Sequence, residues 1–284
     1  MTGNETVTLL LSLAAALPIV LLLYPVLRSL LGGALHKHPL KRTVAVIVSA
    51  AIGAYALFCA YRSCADYVSF ATEMILPSAH AFPLALGFLL SAAWLSSLDS
   101  HRIDSFSLLS LLLVLFCVIL LFLFGIPYFQ GKNLIMTLPK KLPEPSVALP
   151  TLWRESMLPL VILSAYFART APKRGRLPLA LGVAVGSAIL ALCVVQTLLT
   201  FGASYAAELR YPYSYAVRIL SVGPYFFRLE GGSYLLDYLS TLLRCAICLA
   251  TARRLLGRFL PRASRLVPLL SILPMLIVFW IGAV

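Results

Sequence analysis

Few side chains in this 284-residue chain could do chemistry, and most of those stand among apolar residues. Arg62 and Asp66 are four apart, so on a helix they share a face. Asp237 and Arg244 are seven apart, two turns along one stripe, and Glu155 follows a proline-rich segment. An ionised side chain at the centre of a membrane helix costs about 2.5–3.5 kcal/mol on insertion scales. Such a group therefore pairs with another charge and orients the bundle, or it meets a ligand. A ligand carrying both an ammonium and a carboxylate would suit this mixture of charges, and the sequence leaves both readings open.

Other reactive residue types lead to packing rather than chemistry. Cys245-Ala-Ile-Cys248 has redox or zinc spacing but no further ligands around it, and Cys59, Cys64, Cys117 and Cys193 also lie in apolar blocks. Buried thiols in such blocks behave as small hydrophobes, so no disulfide is expected. His36-Lys37-His38 reads as a solvated turn, and Asn4-Glu5-Thr6 is a short glycosylation pattern frequent by chance. Gln196 and Thr200 can hydrogen-bond between helices or line a cavity. Phosphate-cradling, zinc-protease and nucleophile-elbow motifs do not occur. The chain is expected to be no enzyme, with no metal and no cofactor.

The elements that position these residues follow from composition. The chain is 61% hydrophobic and 12% charged, with mean hydropathy +0.95. A soluble domain carries about 25% charged residues, so half of that leaves too little polar surface for water. Soluble enzymes, secreted disulfide scaffolds and nucleic-acid binders are excluded, and the partner implied is the lipid bilayer. The formal charge of +13 fits Lys and Arg gathered in loops beside a membrane. A bilayer core needs about 20 apolar residues per helix. Apolar blocks at 9–31, 43–67, 81–97, 105–126, 155–171, 177–203, 231–252 and 265–284 predict eight helical spans in a single transmembrane domain over 1–284. The ten-residue alternation of a barrel is absent. Two long connections, 127–154 and 204–230, read as external loops, the first broken by prolines and the second aromatic and amphipathic. With the N-terminus outside, thirteen Lys and Arg fall in inner loops and seven in outer segments, so both termini are expected outside.

One stretch carries a more specific pattern. Tyr211-Pro212, then Arg218, Gly223 and Phe227-Arg228-Leu229-Glu230, followed by Arg244, resembles the signature of the GerAB-type spore germination permeases. Tyr61-Arg62 through Asp66 to Leu76-Pro77 is similar to that family's third helix, and Pro172-Lys173-Arg174 to one of its basic turns. The resemblance implies the LeuT-like fold of the amino acid–polyamine–organocation superfamily. It also implies a multi-pass subunit of a nutrient-germinant receptor in the spore inner membrane, sensing a small nutrient such as an amino acid. A-type and C-type receptor subunits would be its partners. Residues 204–230 would form an external lid held to the bundle by Arg228 and Glu230, and Arg244 would point into the bundle. The family has ten spans, and this chain aligns with the second to about the ninth, so it reads as shortened at both ends. Trp153-Arg154-Glu155 stands where the family's sixth helix has Gly-Glu. The alternatives are a secondary amino-acid transporter and a structural subunit that binds no nutrient.

Overall fold

The computed structural model describes residues 18–29, 39–133, 158–170, 177–220, 230–257 and 267–281, and the fold is given for these. They are helical almost throughout, with no strand among them. The helices are α1 (Pro18–Ser29), α2 (Pro39–Phe70), α3 (Ala81–Ser97), α4 (Ser100–Gly125), α5 (Leu158–Thr170), α6 (Leu177–Glu208), α7 (Pro212–Arg218), α8 (Glu230–Leu256) and α9 (Val267–Ile281). Each of the eight expected spans falls on one of them. Four segments, Thr43–Ile75, Ser100–Tyr128, Leu177–Gly202 and Glu230–Leu256, are long and apolar enough to cross a bilayer, whereas α1, α3, α5 and α9 carry shorter apolar stretches.

Prolines mark the ends. Pro212 opens α7 at its first turn, where a missing N–H costs nothing. A π-turn, Ala71–Ile75, continues α2, and the chain leaves helical geometry at Leu76, whose φ of −134° is what the following Pro77 requires. Its N–H still reaches the Ala71 carbonyl at 2.8 Å.

By backbone contacts the chain gathers into two compact units: residues 1–21, 111–160 and 177–236, and residues 22–110, 161–176 and 237–284. In the first unit Val118 and Leu121 of α4 pack with Val217, Leu220 and Leu236, flanked by Ile189, Leu192 and Cys193 of α6. Helix α6 contains a break. Gly202 has φ 75° and ψ 167°, which no other residue type adopts readily. The carbonyls freed below the break are taken up: Asn133 Nδ2 donates to Leu199 at 3.2 Å and Thr200 at 3.4 Å, and the Gln130 N–H donates to Leu199 at 3.0 Å.

The core of the second unit is built from small residues. Ala56, Cys59, Ala60 and Cys64 of α2 meet Ala85, Phe88 and Ala92 of α3 and Cys245, Cys248, Leu249 and Ala252 of α8, with Ile272 and Met275 of α9. Small side chains let helix backbones approach closely where lipid offers no hydrophobic drive. The contact is close enough for Cys245 Sγ to donate to the Ala60 carbonyl at 3.6 Å. A β-carbon on Gly53 would lie 2.9 Å from Leu256 Cγ. Gly53→Leu is therefore expected to destabilise the protein by about 1–3 kcal/mol, the usual overpacking cost. Thermal unfolding in detergent reads this as a lowered midpoint; an unchanged midpoint would mean that α2 and α8 are farther apart than this contact requires.

Candidate ligand-binding site

Three contacts set the register of α2 against α8: Gly53 with Leu256, Ala60 with Cys245, and the Tyr67 and Tyr238 rings at 5.4 Å. The helices run antiparallel, and Arg62 lies level with Arg244. Each stands near the middle of its span, Thr43–Ile75 and Glu230–Leu256. Both guanidiniums bear electrostatically on the Tyr55 hydroxyl, two turns from Arg62 on α2. Asp66 lies one turn from Arg62 in the direction of Asp237, so two cations and two acids lie within about two turns along the α2–α8 pair.

Burial decides what these groups can do. Arg62 and Asp237 are half-buried, whereas Asp66 and Arg244 are exposed. The expected Arg62–Asp66 pairing does not occur: among the described residues neither joins an ion pair. Arg244 likewise does not point into the packed core. The inward face of α8 is taken by Cys245, Ala246, Cys248 and Leu249, all nearly or fully buried, and Arg244, one position round the helix, is left outside. Arg62 and Arg244 thus stand at mid-span without an ion-pair partner among the described residues, an arrangement that can take a carboxylate from a ligand or a neighbouring helix.

Sequence reasoning passed over Tyr55, Tyr67 and Tyr238. The Tyr67 ring stacks on Phe88 at 4.6 Å and meets Tyr238 edge-on, each tyrosine following an acid, Asp66 or Asp237, and lying one to two turns from Arg62 or Arg244. Their helical spacing from Arg62 and Asp237 was the available signal. Cys245 and Cys248 are free and buried in the core, and no group of three metal-ligating side chains occurs among the described residues. Gln196 is fully buried and hydrogen-bonds between helices, its Nε2 donating to the Leu121 carbonyl at 3.1 Å. The Thr200 hydroxyl donates to the Gln196 carbonyl at 2.9 Å.

A separate group lies in the first unit. Tyr211 and Pro212 start α7, and Arg218 at its end places Nε 3.8 Å from Glu230 Oε2 at the start of α8. The Arg218 guanidinium also lies over the Tyr215 ring at 5.9 Å. Exposures of 40% and 23% make this a surface clasp, worth about 0.2–1 kcal/mol. Glu155, Gly223 and Arg228 lie outside the described residues. Compared with family models, curated proteins and solved structures, the chain finds no match.

Proposed function

We propose that this chain is a permease-like membrane subunit of a spore nutrient-germinant receptor. It senses a small zwitterionic nutrient such as an amino acid and works without catalysis beside A-type and C-type subunits in the spore inner membrane. The observation that carries the reading is the register of the α2–α8 pair, in which Arg62 and Arg244 stand level at mid-span with Asp66 and Asp237 one to two turns away. A carboxylate and an ammonium on one small molecule match that distribution. The Tyr211–Glu230 stretch and Arg244 supply the resemblance to germination permeases. The test is removal of the gene in its own spore former. Loss of the response to at least one nutrient, with co-purification of A-type and C-type subunits from the wild type, supports the reading; a full set of nutrient responses in the deleted strain overturns it.

The break at Gly202 favours a second reading, a secondary amino-acid transporter, because discontinuous membrane helices are a device of transporter sites. Saturable, gradient-driven amino-acid uptake into proteoliposomes containing this chain alone would select it.

A further inference from the structure

An apolar groove of about 510 Å³ opens between α3, α4 and α8 in the second unit, walled by Leu90, Trp94, Phe106, Leu239 and Leu242. This size falls in the range of roughly 300–1,000 Å³ typical of sites for small apolar bodies. Trp94 is 66% and Leu90 49% exposed on the apolar helix α3, beside α4 and α8, which are long and apolar enough to cross a bilayer. An apolar trough facing hydrocarbon is filled by an acyl chain. What distinguishes it from ordinary lipid-facing surface is its charged end. Ser96, two residues beyond Trp94, accepts a hydrogen bond at its carbonyl from Arg253 Nη1 at 3.0 Å, which fixes that guanidinium at the end of the groove. Arg102 stands four residues before Phe106, on the same face of α4 and one turn toward the same end. It is exposed and joins no ion pair among the described residues. Of the nearby acids, Asp99 is exposed in the α3–α4 turn, and Asp104 lies half a turn round α4 from Phe106, where it acts on Tyr166 beside Arg254. Two guanidiniums at the membrane boundary above an acyl-sized trough match the two parts of one lipid.

We infer that this groove binds an anionic glycerophospholipid, one acyl chain lying along Leu90, Trp94 and Phe106 and its phosphate meeting Arg102 and Arg253. Basic sites between membrane helices recognise anionic headgroups through this combination, each Arg near the surface contributing about a fivefold preference. The chain has three tryptophans, so Trp153→Phe with Trp280→Phe leaves Trp94 as the reporter inside the groove. This protein is reconstituted in mixed phosphatidylcholine–phosphatidylglycerol vesicles in which one lipid or the other carries brominated acyl chains. At equal mole fraction, brominated phosphatidylglycerol is expected to occupy the groove beside Trp94, and so quench it, about 25-fold more than brominated phosphatidylcholine, a factor of about five from each arginine. Arg102→Gln is expected to cut that preference to about fivefold. Ser91 also lines the groove, and Ser91→Phe, which fills it and keeps both arginines, is expected to abolish the preference and covers the case in which Arg102→Gln fails to accumulate. Coincident curves in the starting protein would overturn the proposal, as would a preference that survives Ser91→Phe, since general attraction of anionic lipid to a basic protein would then account for it.

Discussion

Spores carrying Arg244→Gln at normal abundance are expected to need about tenfold more nutrient for half-maximal germination than the wild type. Arg244 stands at the middle of α8, exposed and level with Arg62. Glutamine keeps a hydrogen-bonding head of moderate size but removes the charge that would hold a ligand carboxylate. A hydrogen bond to a charged partner contributes about 1.5–3 kcal/mol, which is a tenfold or greater change in affinity. Relieving a mid-span charge also lowers the insertion cost, so the variant should accumulate at least as well as the wild type. Dose–response curves normalised to immunoblotted abundance separate the two effects. An unchanged curve at normal abundance would leave Arg244 as a contact for a neighbouring helix only.

Gly202→Ala is expected to destabilise the protein by about 1–3 kcal/mol, the cost of holding a side-chain-bearing residue at φ 75° and ψ 167°. Space is not the obstacle, because an added β-carbon would meet Asn133 at an ordinary 3.6 Å. The same change at Gly186, sixteen residues earlier on the same helix, meets nothing within 4 Å and stands at no positive φ. Gly186→Ala should therefore raise stability by about 0.4–1 kcal/mol through the entropy of the unfolded chain. Thermal unfolding of the two variants in one detergent should give shifts of opposite sign. Equal shifts would mean that α6 runs through Gly202 without a break.

Long apolar blocks made the helices legible, because a bilayer demands continuous burial of apolar side chains and internal backbone pairing. The 43–67 block marked α2, which runs from Pro39 to Phe70 and continues into the Ala71–Ile75 π-turn. The break in α6 was not legible. One glycine among good helix formers signals nothing locally, and the partners that satisfy its freed carbonyls, Gln130 and Asn133, come from a distant part of the chain. The eight expected spans met helices of unequal length, and four are long enough to cross by themselves.

The candidate site was legible in its residues and illegible in its geometry. Charges in apolar blocks identify themselves by their cost, so Arg62, Asp66, Asp237 and Arg244 stood out. Helical spacing predicted that Arg62 and Asp66 would meet, but a shared face does not force contact: Arg62 is half-buried, Asp66 is exposed, and neither joins an ion pair among the described residues. The opposition of Arg62 and Arg244 depends on Ala60 meeting Cys245 across two helices far apart in sequence, and no local pattern encodes that register. The inward placement expected for Arg244 failed for the same reason: the small residues beside it decide which face of α8 packs.

The proposed Arg62/Arg244 ligand site is tested most directly by equilibrium binding of radiolabelled L-amino acids to the purified chain in lipid nanodiscs, with the wild type and Arg62→Gln/Arg244→Gln measured side by side. The account predicts saturable binding of at least one amino acid by the wild type and a loss of at least about tenfold in affinity in the double variant. Absence of saturable binding across the panel, or equal affinity in the two proteins, would contradict it.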